Sequence, residues 1–108
     1  MYRYKDLYII DFSNVKYYLE MHKVIKDALD FPDYYGQNWD AFWDCLTDMV
    51  GDPINIEIRG LEVIERKFNG AVETLINILK DFKHYNNDRY VNDIHIAIVS
   101  GDRKVEIA

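Results

Sequence analysis

Three short runs rich in β-branched residues, separated by segments of helical pattern, most constrain how this chain can fold. The runs cover residues 7–12, 54–59 and 94–99, and each has the length of a β-strand. Strands joined by helical crossovers pair in parallel, with right-handed connections. The pattern therefore predicts an α/β fold in the order β-α-α-β-α-α-β, built on a three-stranded parallel sheet.

The middle run, INIEIR, indicates how the sheet is covered, because its isoleucines alternate with polar residues. A strand covered on both faces would be almost entirely apolar. We therefore predict a two-layer domain, with helices packed on one face of the sheet. At 108 residues, the chain is expected to form a single domain over residues 1–108. The final segment, GDRKVEIA, is assigned no role.

Four helical patterns fill the two crossovers. The first begins near Asn14 and ends before Pro32, and the second begins near Asn38 and stops before Gly51. The third is the sequence LEVIERKF, and the fourth follows Gly70. The first helix is predicted to place on one face Val15, Tyr18, Leu19, His22, Ile25 and Leu29. The last helix is predicted to bury Ala71, Leu75, Ile78, Leu79 and Phe82.

A net charge of −6 narrows the class of partner, because 19 acidic residues oppose 13 basic ones. Binding to DNA or RNA through phosphates requires a basic surface, so a nucleic-acid partner is disfavoured and a cationic partner is favoured. No apolar run approaches the ~20 residues of a membrane span, and the start has no secretory apolar region. We expect no membrane partner and a cytoplasmic location.

The second predicted helix carries three aspartates one turn apart, Asp40, Asp44 and Asp48. Like charges at this spacing repel, at ~0.2–0.5 kcal/mol per pair in an exposed helix. The acids could simply be the solvated face of an amphipathic helix whose apolar arc contains Trp39, Phe42, Leu46, Met49 and Val50, with Trp43 and Thr47 at its border. The neighbouring sequence YYG instead favours a protein-binding surface, where aromatic anchors are rimmed by polar groups.

Enzymatic alternatives have less support in the sequence. Asp40 and Asp44 could act as acid and base or share a divalent cation, but no His or Glu accompanies them at ligand spacing. The histidines, His22, His84 and His95, lie on separate elements and are expected at the surface or its boundary. Asp44 and Asp48 oppose the thiolate form of the single cysteine, Cys45. We predict no catalytic residue, no metal and no cofactor.

The sequence YYGQNWDAFWDCLTD resembles the signature segment of the barstar-like family, intracellular inhibitors of barnase-type bacterial ribonucleases. The matching positions form one ungapped block: Tyr34, Tyr35, Gly36, Asn38, Asp40, Ala41, Trp43, Asp44, Leu46 and Thr47. A weaker likeness extends from Pro32 to the last predicted strand. The family's fold, a three-stranded parallel sheet with helices packed on it, agrees with the fold predicted above.

The resemblance implies that the acidic row mimics the phosphates of RNA. Asp44 would lie where the substrate phosphate binds in a basic ribonuclease, because a carboxylate is an anion of similar hydrogen-bonding geometry. The implied partner-binding residues are Tyr34, Gly36, Asn38, Asp40, Trp43, Asp44 and Thr47. The implied function is that of an immunity protein in a bacterial toxin–antitoxin pair, binding its ribonuclease one to one.

Four residues depart from the family pattern at positions that the resemblance assigns to the rim of the interface. They are Gln37, Met49, Lys80 and His84. The resemblance therefore does not identify the target enzyme. The alternative function is a barstar-fold interaction domain that binds a different toxin or a non-nuclease protein. A small hydrolase that uses Asp40 and Asp44 with a metal is a third and weaker hypothesis.

Overall fold

The computed structural model describes residues 6–49, 53–85 and 93–107. Within them, the elements follow the order β1 (Tyr8–Asp11), α1 (Tyr18–Leu29), α2 (Trp39–Thr47), β2 (Ile54–Arg59), α3 (Leu61–Lys67), α4 (Ala71–Tyr85), β3 (Ile94–Ser100) and β4 (Arg103–Glu106). The predicted α/β class is confirmed, and so is the order of the first seven elements. None of the helices in these residues has the length and apolar content needed to cross a membrane.

The four strands form one sheet in the order β1-β2-β3-β4. β1 pairs in parallel with β2, and β2 pairs in parallel with β3. β4 pairs antiparallel with β3. The prediction of a three-stranded, purely parallel sheet is therefore wrong, because the C-terminal segment adds a fourth strand and makes the sheet mixed.

The sequence of β4 explains why this strand was missed. All four of its residues are exposed, so no alternation of apolar and polar residues marks it. Gly101, with a φ of 57°, provides the tight turn that returns the chain along β3. Ile107, just after β4, is buried in the core. The strand therefore depends on pairing with β3 and on this anchor, and both contacts are invisible to a local pattern.

The burial of β2 agrees with the prediction that one face of the sheet is covered. Ile54, Ile56 and Ile58 are buried, whereas the residues between them are partly or fully exposed. Helices α1 and α4 contact β1 and β3, respectively. The core between the two layers includes the fully buried rings of Tyr8, Phe12, Phe42 and Phe82.

Helix α1 begins later than predicted, at Tyr18 rather than near Asn14. Val15 is buried but lies in a turn, where its amide donates to the carbonyl of Phe12 at 3.1 Å. Because the helical periods were counted from Val15, Tyr18 and Leu19 were predicted on the same face as the buried residues. Both are exposed, so this prediction was wrong. The buried face of α1 is formed by Met21, His22, Ile25 and Leu29.

Candidate partner-binding site

The loop between α1 and α2 turns at two residues with positive φ. Asp30 ends α1 with a φ of 57°, and Gln37 precedes α2 with a φ of 54°. This conformation is uncommon for residues other than glycine. Between them, the amide of Tyr35 donates to the carbonyl of Pro32 at 3.0 Å. Tyr35 is buried, whereas Tyr34 is 81% exposed, so the loop presents a single large aromatic ring to solvent.

Helix α2 begins next to Asn38, as the sequence predicted, and the side chain of Asn38 caps it. Its Oδ1 atom accepts a hydrogen bond from the amide of Ala41 at 2.8 Å. Its Nδ2 atom donates to the carbonyl of Gly36 at 3.2 Å, which ties the loop to the helix. A Cβ atom added at Gly36 would lie 3.3 Å from both the Cβ of Ala41 and the Nδ2 of Asn38, so the loop packs closely at this point. Gly36 and Asn38 therefore shape the site together.

The two faces of α2 largely follow the prediction. Phe42, Leu46 and Met49 are buried, and Asp40, Asp44 and Asp48 are exposed. Trp39, Trp43 and Thr47 are half-buried, so Trp39 lies at the border of the arc and not within it. Met49, at 3% exposure, is a core residue, and its assignment to an interface rim was wrong. Val50 lies outside the described residues.

The hydroxyl of Thr47 forms a hydrogen bond within the helix. The Oγ1 atom donates to the carbonyl oxygen of Asp44 at 3.0 Å. The last carbonyls of a helix have no amide partner within the helix, and this bond provides a donor for one of them. Thr47 therefore supports the last turn of α2 directly behind Asp44.

A groove of about 440 Å³ separates α2 from α4. Its lining from α2 is Trp39, Asp40, Trp43 and Asp44, and its lining from α4 is Ile78 and Asp81. Three carboxylates thus surround a groove with apolar and aromatic walls. Ile78, which was predicted to be buried, is half-exposed because it forms one of these walls.

Two residues of this surface were not predicted from the sequence. Asp81 lines the groove, and Tyr85 is 49% exposed and packs edge-on against Trp43, with ring centroids 5.2 Å apart. Ile78, Asp81 and Tyr85 follow the spacing i, i+3 and i+7, which places them on one face of a helix. That spacing is visible in the sequence. Only the packing of α4 beside α2 shows that this face of α4 lies at the candidate site. Lys80 and His84 are exposed and are not among the lining residues.

The carboxylates of the groove form no ion pair with the basic side chains that the structure describes. This holds for Asp40, Asp44 and Asp81 against every lysine, arginine and histidine of the described residues. In the same residues, no group of three or more His, Cys, Asp and Glu side chains is arranged to hold a metal ion. The arrangement suits a cationic side chain better than a bare ion, because the groove combines charge with aromatic walls.

Comparison with known proteins assigns the chain to a family. The family described as Barstar (barnase inhibitor) matches residues 6–97, which include the loop, α2 and α4. The chain belongs to the barstar family. A protein of Bacillus subtilis (strain 168) named "Putative ribonuclease inhibitor YrdF" is 32% identical over 80 residues, covering 74% of this chain and 85% of that protein. Membership in this family agrees with the prediction that the chain is an inhibitor and not an enzyme.

In this barstar-family chain, Cys45 is buried on the inner side of α2. Burial raises the pKa of its thiol, and the nearby carboxylates of Asp48 and Asp44 raise it further. The thiolate is therefore disfavoured, as predicted, and Cys45 is a packing residue rather than a nucleophile.

His22 connects the core of this barstar-family chain to its site, and its expected place at the surface or its boundary was wrong. The ring is fully buried, and its Nδ1 atom lies 2.7 Å from the hydroxyl oxygen of Tyr35. It also packs edge-on against Trp39, with ring centroids 4.8 Å apart. Burial lowers its pKa, so the ring is neutral near pH 7. His84 is exposed and His95 is half-buried, as expected of surface or boundary residues.

Proposed function

We propose that this protein inhibits a basic ribonuclease of the barnase type by binding it one to one and blocking its active site. The observation that carries the proposal is the groove between α2 and α4, where Asp40, Asp44 and Asp81 lie against aromatic walls without an ion pair among the described residues. The family match and the relative named as a ribonuclease inhibitor support the same class of partner.

Asp44 is proposed to occupy the phosphate-binding position of the enzyme. A ribonuclease stabilises a phosphoryl transition state with preorganised cationic groups, and these groups accept a carboxylate in place of the phosphate. Asp44 is suited to this role because it is exposed in the second half of α2, one turn after Asp40. Asp40 would then meet cations at the rim of the active site.

The groove itself is proposed to receive a cationic side chain of the enzyme. Arginine and lysine combine an apolar stem with a charged head, and guanidinium groups stack on indole rings. Trp43 and Ile78 offer the apolar walls, and Asp81 offers a carboxylate from the opposite helix. Tyr85 extends the aromatic surface beside Trp43.

The loop is proposed to form the other half of the interface. Tyr34 presents an exposed ring, and such rings are frequent hot spots of protein–protein interfaces. Asn38 and Gly36 hold the backbone next to it through the hydrogen bond from Nδ2 to the carbonyl. A loop already fixed in its bound shape loses less conformational entropy on binding.

The proposed biological setting is an immunity protein of a bacterial toxin–antitoxin pair, acting in the cytoplasm as a single domain of residues 1–108. The net charge of −6 would attract a basic enzyme over distances longer than direct contact. Inhibition follows from occlusion alone, so the proposal requires no catalytic residue, metal or cofactor.

The test is a titration of RNA hydrolysis by a panel of barnase-type ribonucleases with the purified protein. Complete inhibition of at least one enzyme at one molar equivalent is the expected result. Activity of every enzyme left intact at micromolar inhibitor would contradict the proposal. Heat-unfolded protein at the same concentration is the control for effects of added protein.

A second candidate is a barstar-fold interaction domain that binds a different toxin or a non-nuclease protein. Lys80 and His84 favour it, because they place basic side chains on the exposed part of α4, the helix that contributes Asp81 to the acidic groove. Parallel capture experiments with the wild type and Asp44→Ala as baits separate the two candidates. A partner that binds both baits equally and lacks nuclease activity would support the second.

A further inference from the structure

β4 lies outside the residues that match the barstar family, which end at Ala97 within β3. It pairs with β3 over four positions, from Ala97 opposite Glu106 to Ser100 opposite Arg103. Because β3 pairs with β2 on its other side, β4 covers residues 97–100 of the remaining edge of β3. Over these residues, the outer edge of the sheet is therefore formed by β4 and not by β3.

Backbone hydrogen bonds attach β4 to β3 in a pattern that can be assigned residue by residue. The amide of Ile107 donates to the carbonyl of Ile96 at 2.7 Å. In an antiparallel ladder, hydrogen-bonded and non-hydrogen-bonded pairs alternate. The amides of Val105 and Arg103 therefore also point toward β3, whereas those of Lys104 and Glu106 point away from it.

Side chains attach β4 to three other parts of the fold. Lys104 Nζ lies 3.3 Å from Glu57 Oε2 on β2, and Glu106 Oε2 lies 3.1 Å from His95 Nδ1 on β3. Lys83 Nζ on α4 donates to the carbonyl of Ile107 at 2.6 Å. Ion pairs that are exposed to solvent contribute little individually and weaken with salt. The attachment of β4 thus rests mainly on the backbone ladder and on buried Ile107.

The two strands differ sharply as sheet edges. β3 has seven residues, IHIAIVS, and contains no Asp, Glu, Lys or Arg. β4 has four residues, of which Arg103, Lys104 and Glu106 are charged, and all four are exposed. A long uncharged edge is a template for pairing with another chain, whereas a short charged edge discourages it.

We propose that the edge of β3 is a self-association surface that fits the same edge of a second copy of this chain, and that β4 keeps it closed. β3 already accepts an antiparallel neighbour at this edge. Two identical strands that pair antiparallel are related by a twofold axis, so each copy gives and receives the same hydrogen bonds. No charged residue along β3 opposes this pairing, apart from His95 when it is protonated.

The test compares Val105→Pro with Lys104→Pro by analytical ultracentrifugation over a range of concentrations. Proline at 105 removes an amide that points toward β3, whereas proline at 104 removes one that points away, so only the first should detach β4. We expect Val105→Pro to change from one chain to two as concentration rises, and Lys104→Pro to match the wild type. A Val105→Pro variant that remains a single chain at every concentration overturns the proposal.

Hydrogen exchange locates the contact. The amides of Ile98 and Ser100 point toward β4, so they should stay protected in a Val105→Pro dimer paired through β3. Rapid exchange at both amides in a dimeric variant would place the contact elsewhere and overturn the proposal. If Val105→Pro does not fold, the variant Ile107→Ser decides, because it removes the buried anchor of β4 without introducing a proline. Association at high concentration supports the proposal, and a single chain throughout overturns it.

Discussion

The Nδ1 atom of His22, in the middle of α1, lies 2.7 Å from the hydroxyl oxygen of Tyr35. Tyr35 is next to Tyr34, the exposed ring of the loop between α1 and α2. The same imidazole packs against Trp39, the first residue of α2. His22 therefore joins the core helix to the loop by a hydrogen bond and to α2 by ring packing, and this loop and helix carry the proposed binding surface.

Tyr35→Phe tests the contribution of this bond. The substitution leaves both ring nitrogens of His22 without a partner among the described residues, because Nε2 already lacks one there. Leaving a buried polar group unsatisfied costs about 1–3 kcal/mol. We expect a loss of this size in the free energy of unfolding, measured with urea. Tyr34→Phe is the matched control and should behave as the wild type, because its hydroxyl is in solvent. Equal losses in the two variants would show that the bond is not responsible.

The same histidine should make stability depend on pH. Burial lowers the pKa of His22 below its usual value of 6.5, so near and below that pH the unfolded chain binds more protons than the folded chain. The contribution of neutral His22 to the free energy of unfolding is complete above about pH 6.5. It is lost as the pH falls toward the pKa of His22 in the folded chain. Urea unfolding from pH 8 to pH 5 should show a smaller acid-side loss for His22→Gln than for the wild type.

His95 titrates with the opposite sign and provides an internal comparison. Its hydrogen bond to Glu106, together with Asp93, raises its pKa, so its contribution is present below pH 6.5 and is lost as the pH rises through the folded pKa. His95→Gln should therefore still lose stability as the pH falls, because His22 is unchanged. It should no longer show the loss of stability that His95 causes as the pH rises. Identical pH profiles for the wild type and His22→Gln would contradict the role assigned to His22.

Asn38 has two functions that can be separated by substitution. Asn38→Ala removes the N-cap and should cost about 1 kcal/mol of stability. Asn38→Ser keeps an oxygen acceptor for the amide of Ala41 but loses the Nδ2 bond to Gly36. We expect the serine variant to unfold at a urea concentration close to that of the wild type and to bind the ribonuclease more weakly. Full affinity in the serine variant would show that the bond to Gly36 does not position the loop.

Association with the ribonuclease should slow as salt rises. An acidic inhibitor and a basic enzyme attract over a Debye length of about 10 Å at 0.1 M ionic strength, and added salt shortens that distance. Stopped-flow mixing at low and high salt measures the rate constant directly. A rate constant that does not change with salt would rule out electrostatic steering.

Much of the fold could be predicted because its signals are local. The isoleucine alternation of β2 and the start of α2 near Asn38 each depend on residues close in sequence, and both predictions are confirmed. β4 could not be predicted, because its strand conformation comes from pairing with β3 and its own residues have no buried face. A strand of this kind is specified by its neighbour in the sheet.

The candidate site could be predicted only where its residues lie close together in sequence. Asp40, Asp44 and Trp43 belong to one helix and to one recognisable segment, and the structure places all three in the groove. Asp81 and Tyr85 come from α4, so only the packing of two helices reveals them. His22 was misplaced because the hydroxyl that allows its burial comes from Tyr35, 13 residues away in sequence. Polar residues are buried when a partner is available, and that partner is a tertiary feature.

Asp44→Ala gives the most direct test of the proposal that Asp44 mimics a phosphate of RNA, with Asp48→Ala as the matched control. Both variants remove one exposed aspartate near the end of α2, but only Asp44 lines the groove. Leaving the cations of the enzyme buried and unpaired should weaken binding by about 2–5 kcal/mol for Asp44→Ala, whereas Asp48→Ala should change it little. Folding should be unaffected or slightly improved, because alanine favours helices and a like-charge contact is relieved. The measurement is calorimetric titration of each variant with the inhibited ribonuclease, together with urea unfolding of the same samples. We expect Asp44→Ala to lose affinity and to keep its stability, and a variant that loses stability but keeps its affinity would show that Asp44 is a structural residue.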